Sequence, residues 1–183
     1  MQAPPAQFPV PALQALLQDR AVAGEWALDA RRSRVRLKSK VMGLVPVNGV
    51  FRQVSGSGTV FPDGKVSGTL TVAAASIDTN NTRRDTHLRS ADLLDSANHP
   101  DITFTAEAIR PSGQGAAVTG ALTVRNQTRP LFFDAAASVQ GDGEIWLDAE
   151  VPINRADFGL TWNSIFMASM HNILTIHATF TRR

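Results

Sequence analysis

The feature that most constrains the fold of this chain is a two-residue alternation of apolar and polar side chains, which begins near Trp26 and recurs up to the C-terminus. In the range Arg34–Val41, Val35 and Leu37 alternate with charged residues, as in a strand with one dry and one wet face. Similar runs are separated by turn signals such as Pro62-Asp63-Gly64. The alternation therefore predicts a protein built mainly from antiparallel strands.

The alternating runs are about eight in number and have short connections. Their predicted bounds are 34–41, 49–61, 66–75, 102–110, 116–125, 131–139, 145–151 and 173–180. This pattern is typical of a barrel or a sandwich, and an eight-stranded barrel is near the size that holds one small ligand. We predict an all-β fold, a lipocalin-like antiparallel β-barrel with one or two short helices.

Helical spacing appears in two places outside these strands. Residues 1–24 are predicted to form an extension that is partly disordered, with a short helix over 12–22 where leucines recur three and four residues apart. The barrel domain is expected to follow at 25–183, with a second helix near 82–94. A polar turn and an irregular stretch occupy 154–169.

Composition excludes several classes of protein. The 183 residues suffice for one domain with one sizeable core. A net charge of +2 is small for a nucleic-acid binder, so no nucleic-acid partner is expected. The chain has no cysteine, which excludes disulfides, thiolate metal sites and cysteine nucleophiles. No stretch approaches the ~18 apolar residues that span a bilayer as a helix.

The cellular compartment stays open at this point. The N-terminus as written has neither a basic region nor a continuous apolar region, so it does not match a signal peptide. The expectation is a cytoplasmic protein as written, or a periplasmic or secreted one if a leader has been removed.

Small residues are frequent within the predicted strands. Ala73-Ala74-Ala75, Ala135-Ala136-Ala137 and several glycines, Gly120 among them, leave room inside a barrel. The alternative is that bulky neighbours such as Phe104, Phe132, Phe133 and Phe180 fill this space. Periodicity alone favours neither interpretation.

An ordered set of segments resembles the YceI family. Examples are Met42-Gly-Leu-Val-Pro-Val-Asn-Gly-Val-Phe51 and Ile153-Asn-Arg-Ala-Asp-Phe-Gly159. The other matching segments are 26–35, 75–79, 84–95, 99–104, 118–124 and 128–130. Together they cover about 25–182 in the family's order, which makes the set specific although no single segment is a catalytic motif. The sequence departs from the family where Val41 replaces a frequent histidine.

The resemblance implies an extended lipocalin-like barrel that carries or sequesters a polyisoprenoid or another long-chain amphiphile. The residues expected to contact this lipid are Val35, Leu37, Ser39, Val41, Met42, Phe51, Leu70, Phe104, Leu122, Phe133, Trp162, Phe166, Leu174, Ile176 and Phe180. The alternative is a quinone-linked redox or stress accessory protein that acts through protein–protein contacts. Either protein is expected as a monomer or a homodimer.

The sequence offers no catalytic machinery. It lacks GxSxG, P-loop and GxGxxG motifs, and no HExxH pair or comparable pair of histidines is present. The tightest group of metal-ligand residue types is Asp95, His99 and Asp101, which turn capping explains best. We expect no enzymatic activity, no metal and no cofactor, apart from a bound isoprenoid-type lipid or quinone.

The predicted helix near 82–94 carries the densest group of polar residues, and Asn81 or Thr82 is its expected N-cap. Two roles stay open for this group. It either holds a pyrophosphate or quinone head group at the barrel mouth, or fastens the helix across one barrel end, and the second is favoured. The head-group candidates are Arg83, Arg84, His87 and Arg89.

Two further groups of residues stand out, one on the predicted first strand and one near predicted strand ends and the irregular stretch. Arg34, Arg36, Lys38 and Lys40 should point away from the cavity as a solvated face, and the alternative is a transient contact with a membrane surface. The second group gathers at one barrel end, where it either adapts to a chain-like ligand or plugs the barrel. Its members are Met42, Phe51, Trp162, Phe166, Met167 and Met170.

Overall fold

The structure is a computed structural model that describes residues 22–112, 115–140, 143–163 and 168–183. The strands are β1 (Gly24–Leu28), β2 (Arg34–Val41), β3 (Val45–Phe51), β4 (Val54–Val60), β5 (Val66–Ala73), β6 (Ile77–Asp78), β7 (Asp101–Ser112), β8 (Gly115–Val124), β9 (Gln127–Gln140), β10 (Glu144–Asn154) and β11 (His171–Arg182). In this described part of the chain the α-helix is α1 (Thr82–Arg89), and 3-10 turns occupy Ala74–Ser76 and Arg155–Phe158. The helix predicted over 12–22 lies outside the described residues, except for its last position.

The strands close into a single antiparallel barrel. They follow the order β1-β4-β5-β7-β8-β9-β10-β11, and β1 pairs with β11 to complete the circle. The N-terminal half of β11 pairs with β2, so β1 and β2 are two halves of one long strand. β3 and β4 are halves of a second, and β5 and β6 of a third. The predicted eight-stranded, lipocalin-like barrel is confirmed, with three of its strands interrupted.

Hydrogen bonds to serine hydroxyls stabilise the chain at two of these breaks. At the break between β1 and β2, the backbone N–H of Thr179 donates to the Ser33 hydroxyl at 3.0 Å. At the break between β3 and β4, the N–H of Gln53 donates to the Ser76 hydroxyl at 3.1 Å. The sequence pattern predicts an unbroken strand over 49–61. Alternation indicates which face of a strand is buried, but it does not indicate where the backbone hydrogen bonds between strands stop.

The helix is shorter than predicted. Asn81 is its N-cap, and its side-chain oxygen accepts from the N–H of Arg84 at 3.0 Å. After Arg89 the chain folds back, and the N–H of Leu94 donates to the carbonyl of Leu88 at 3.0 Å. Residues 90–99 therefore cross the barrel end as consecutive turns instead of continuing the helix.

The two barrel ends are built differently. The helix end carries α1, the β2–β3 hairpin at 41–45 and the β10–β11 connection. The opposite end carries the β4–β5 and β9–β10 hairpins. One buried apolar cluster, around Trp26, packs near the opposite end, while clusters around Ile77 and Phe158 lie toward the helix end. Within the described residues, apolar clusters therefore occupy both barrel ends.

Candidate functional site: an apolar cavity in two chambers

Two adjoining chambers occupy the barrel interior. The helix chamber, toward the helix end, contains about 1030 Å³ of empty space, and the far chamber about 1010 Å³, each including some open solvent. Both are lined almost entirely by apolar side chains. Four residues line both chambers and form the waist between them: Leu70, Phe104, Phe133 and Ile176. The two chambers therefore meet at these four side chains, and together they are named the passage.

The far chamber owes its width to glycine and alanine. Gly58 and Gly68 face each other across β4 and β5, so this wall has backbone where other strands have side chains. A Cβ on Gly68 would lie 2.9 Å from the carbonyl oxygen of Ser57, so the position has no room for a side chain without a shift. Small side chains continue around the barrel from these glycines, namely Ala106, Ala116, Ala135, Ala137, Ala149 and Ala178. Of the small residues named from the sequence, Ala135 and Ala137 line this chamber, whereas Ala73, Ala74, Ala75 and Gly120 line neither chamber.

Two phenylalanines set the waist. The ring centroids of Phe104 and Phe133 are 5.5 Å apart with planes inclined at 54°, within the range of favourable aromatic pairs. β8 runs between their strands, and Gly120 lies beneath the Phe104 ring, where a Cβ would come within 2.7 Å of its Cζ atom. Phe132 points outward with 69% of its surface exposed. The aromatic residues therefore narrow the passage without filling it.

The helix end is closed by α1 and the turns that follow it. Leu88, Leu93 and Leu94 line the helix chamber from this side. Arg84 fastens the helix, because its Nε donates to the Thr79 hydroxyl at 2.7 Å and its Nη2 to the Thr79 carbonyl at 2.8 Å. Asp85 is buried and accepts from the Thr79 N–H at 3.0 Å and from its hydroxyl at 2.6 Å. A network of short polar contacts thus positions three apolar side chains over the chamber.

Arg155 is the charged residue that lines the helix chamber. It is buried, and its guanidinium donates to backbone carbonyls, among them those of Leu160 at 2.6 Å and Ser169 at 3.1 Å. Within the described residues no carboxylate pairs with it. Burial lowers the pKa of this guanidinium from its high ordinary value. Arg155 thus places a positive charge in the lining of an otherwise apolar chamber, beside buried Asn172, while its N–H groups are directed mainly to backbone carbonyls.

Sequence reasoning missed this arginine. The segment 154–162 was interpreted as a polar turn, and the arginine was not weighed as part of the interior. The available signal was the position of Arg155 two residues after apolar Ile153 and three before apolar Phe158, both of which line the same chamber. Only the folding of the 3-10 turn back over the barrel brings the guanidinium inside.

Most of the residues predicted to contact lipid line the passage. Those in the helix chamber or at the waist are Val35, Leu37, Phe51, Leu70, Phe104, Leu122, Phe133, Leu174 and Ile176. Phe180 lines the far chamber. These positions alternate along their strands with residues that face outward, as the two-residue period requires.

Four predicted positions lie outside both chambers, namely Ser39, Val41, Met42 and Trp162. The β2–β3 hairpin extends beyond the barrel wall, so the inward alternation of β2 continues past the end of the cavity. Met42, at the tip, is 66% exposed, and Trp162 is 40% exposed. Contact of these four residues with a bound lipid stays a prediction. Phe166 lies outside the described residues.

The four head-group candidates on α1 also lie outside the chambers. Arg84 and Arg89 point to backbone carbonyls, and Nη2 of Arg89 donates to the Ile77 carbonyl at 2.7 Å. His87 packs edge-on against Trp162 with ring centroids 4.1 Å apart, and its Nε2 lies 3.5 Å from an Asp92 oxygen. Arg83 is exposed. The arrangement is that of a fastened helix, and a head-group role for these residues stays a prediction.

A metal site is not assembled in the described residues. No three histidine or acidic side chains come together there in a way that holds an ion. Asp95 and His99 instead stabilise a turn, in which the His99 N–H donates to the Asp95 carbonyl at 2.8 Å. In the same part of the chain, no helix has the length and apolar character needed to cross a membrane.

A closed antiparallel barrel whose interior is an open apolar passage defines the lipocalin-like class of β-barrels. The model of the YceI-like domain matches residues 26–181, nearly the whole barrel. The chain belongs to the YceI family, as the ordered sequence segments indicated.

Curated relatives agree with this assignment. Protein YceI of Escherichia coli O6:H1 is 31% identical over 150 residues, which cover 76% of this chain and 78% of that protein. Protein YceI of Salmonella arizonae is 32% identical over 152 residues, with coverage of 77% and 78%. Relatives with this name are therefore similar along most of their length.

Solved structures share the fold. BcnA of Burkholderia cenocepacia superposes with a TM-score of 0.76 at 24% identity, covering 83% of this chain and 98% of that one. A polyisoprenoid binding domain from Saccharophagus degradans, implicated in plant cell wall breakdown, gives a TM-score of 0.71 at 15% identity, covering 86% and 98%. The YCEI protein of Campylobacter jejuni gives 0.64 at 26% identity, covering 75% and 85%.

Proposed function

We propose that this chain binds a polyisoprenoid or similar long-chain lipid along the two-chamber passage, and that it carries or sequesters this lipid without transforming it. The observation that carries the proposal is the passage itself, whose two chambers are both apolar and meet at the waist of Leu70, Phe104, Phe133 and Ile176. A hydrocarbon chain that leaves water for such a passage gains about 0.8 kcal/mol per buried CH₂, before ordering costs are subtracted.

The shape of the passage favours a flexible, segmented chain. Each chamber has wide apolar walls, while the Phe104–Phe133 pair narrows the connection. A flexible chain could extend from one chamber into the other by following the shape of this waist, which a rigid ligand cannot do. The Saccharophagus degradans structure, described as a polyisoprenoid binding domain, supports this choice of ligand because it has the same fold.

Arg155 and Asn172 are the polar side chains nearest a ligand in the described lining of the helix chamber, and Arg155 contributes mainly its positive charge because its N–H groups donate to backbone carbonyls. Because they face the helix chamber, a lipid whose polar end carries carbonyl, carboxylate or phosphate oxygens would place that end near the helix end. The apolar part would then extend through the waist into the far chamber. Hydrogen bonds to charged groups contribute roughly 1.5–3 kcal/mol, so the polar end orients the ligand while tail burial supplies most of the affinity.

Native mass spectrometry of the full chain, purified without detergent, tests this proposal. We expect an adduct of defined mass that is released on denaturation and whose fragments identify an isoprenoid or other long-chain lipid. An adduct with the mass of a quinone would identify the bound lipid as a quinone. Protein that is empty, and that takes up no isoprenoid alcohol when offered one, would contradict lipid binding and favour an accessory role through protein–protein contacts.

A further inference from the structure

The tip of the β2–β3 hairpin is the most apolar exposed element of the described surface. Met42, Leu44 and Val45 are 66%, 85% and 55% exposed, and none of them lines a chamber. Three large apolar side chains within four residues, on a hairpin that extends beyond the barrel wall, form a compact patch. Single exposed apolar residues are normal on protein surfaces, but contiguous ones mark interaction sites.

A row of cations leads up to this patch. Arg34, Arg36, Lys38 and Lys40 alternate along the outer face of β2, and each step of two residues spans about 6.6 Å. Lys38 pairs with Glu150 at 3.0 Å. Across the described ranges, the other three form no ion pair. The positive charge of the row is therefore largely uncompensated, and Lys40 lies nearest the apolar tip.

We propose that this hairpin tip docks the protein on an anionic lipid bilayer. Apolar side chains that bind at a bilayer surface are buried about 5–10 Å deep, at the boundary between head groups and acyl chains. With Met42 and Leu44 at that depth, Lys40 lies about 6.6 Å back along the strand, at the level of the lipid phosphates. The hairpin therefore presents apolar side chains at its tip and cations behind them. An anionic bilayer has the matching order, with acyl chains inside and phosphates outside.

The docking tip is linked to the helix chamber. Val41 forms a β-bridge with Ala168, and the Ser169 N–H donates to the Lys40 carbonyl at 2.8 Å. The Ser169 carbonyl accepts in turn from Nε of Arg155, which lines the chamber. Docking through the tip therefore brings the helix end of the passage toward the membrane. This step rests on the proposed lipid-binding function and deepens it, because it places the helix chamber, and not the far chamber, next to the membrane.

The edge of β3 disfavours a protein strand as the occupant. Within the described residues, β3 pairs with β6 only at Val50 and Phe51, which leaves Val45–Gly49 without a second neighbour. Exposed Pro46 lies on this edge and has no N–H to donate, so a strand added there would lack a regular ladder. The surface therefore suits lipid head groups better than a second copy of the chain.

Vesicle flotation with the full chain tests the docking proposal. Phosphatidylcholine vesicles with and without phosphatidylglycerol are compared at low and high salt, since exposed charge interactions are screened. We expect binding to the anionic vesicles that weakens with salt. Lys40→Gln should lower the partition coefficient about fivefold, and Leu44→Asp should lower it more than tenfold.

Matched variants keep the test specific. Lys65→Gln removes an exposed lysine from the opposite end, and Phe132→Asp places the same acid at an exposed apolar residue on the outer wall. Both should bind vesicles like the wild type. The proposal is overturned if they lose binding equally, if neutral vesicles bind as well, or if Leu44→Asp instead converts a dimer to a monomer in size-exclusion chromatography.

Lipid content is measured on the same samples by native mass spectrometry. Docking variants should retain whatever lipid the wild type retains, because none of the substituted residues lines a chamber. Vesicle binding by a protein without cargo would leave docking intact and contradict the proposed function. A protein that retains lipid but does not bind vesicles would contradict the docking proposal and leave the proposed function intact.

Discussion

Phe104 and Phe133 approach each other to 5.5 Å between ring centroids across β8, and this pair forms part of the boundary between the two chambers. The two strands that carry these rings are not neighbours. Gly120, on the strand between them, gives the Phe104 ring room to lie over the backbone. The width of the passage at its waist therefore depends on these two rings and one glycine.

Phe104→Ala should widen the waist and merge the chambers. Buried Phe→Ala substitutions cost about 3–5 kcal/mol, and since Phe104 is only half-buried we expect a loss near the lower end. We also expect the retained lipid to shift toward longer or bulkier species, as measured by native mass spectrometry. The control, Phe132→Ala, removes an outward ring and should change neither quantity appreciably. An unchanged lipid profile in Phe104→Ala would show that the waist does not select the ligand.

Leu37→Asp should lower lipid retention, because Leu37 lines the helix chamber and an unpaired carboxylate there would cost several kcal/mol or be forced into its neutral form. The matched variant is Arg36→Asp, which places the same acid on the outer face of the same strand. Lipid bound per protein, quantified after extraction from both variants, provides the comparison. A folded Leu37→Asp protein with full lipid content would exclude this face from the binding site.

Arg84→Ala and Arg89→Ala should lower the melting temperature of the empty protein. Each removes charged hydrogen bonds to the carbonyl of Thr79 or Ile77, and such bonds contribute roughly 1.5–3 kcal/mol. Arg83→Ala is the control, because that side chain is exposed and has no hydrogen bond or ion pair among the described residues. Thermal unfolding followed by circular dichroism distinguishes the variants. Equal stability of all three, with weaker lipid binding, would instead support a head-group role.

Tail burial, not the head group, should dominate recognition. We expect a neutral isoprenoid alcohol and its diphosphate to bind within tenfold of each other in calorimetry, a difference below ~1.4 kcal/mol. The helix arginines that could hold a diphosphate already donate to protein carbonyls. A larger preference for the diphosphate would overturn this expectation and point to Arg155, the charged group that faces the helix chamber.

Stability should decline in acid because of carboxylates that are hydrogen-bonded in the folded state. The Asn80 N–H, followed by the Arg52 guanidinium, lowers the pKa of Asp78, and the Arg32 guanidinium lowers that of Glu144. A folded pKa below the unfolded value, about 4 for such groups, means that the stabilisation is complete above that value. It is lost as the pH falls through the folded pKa.

Thermal melts between neutral pH and pH 3 measure this decline. The wild type should lose melting temperature below about pH 4, and Glu144→Gln and Asp78→Asn should each flatten part of the curve. Asp134→Asn, which replaces an exposed carboxylate without a hydrogen bond in the described residues, serves as the control. If the melting temperature of a variant falls with pH in parallel with that of the wild type, the substituted carboxylate does not contribute to the loss of stability in acid.

The sequence by itself determined the class of fold and the inward face of most strands. Strict alternation leaves one choice of buried face, so Val35, Leu37 and Leu174 could be placed in the interior without coordinates. Turn residues marked most strand ends, and Asn81 was a recognisable helix cap. These properties are local, because each depends on neighbours within a few residues along the chain.

Only the tertiary structure decided how far the cavity extends and which polar group enters it. Alternation along β2 continues past the chambers, so Ser39 and Val41 follow the inward pattern yet line neither chamber. Arg155 shows the converse, because a charged residue in a polar segment faces the interior once the β10–β11 connection folds over the barrel end. Enclosure is a property of distant strands meeting in space, and no pattern within a single segment reports it.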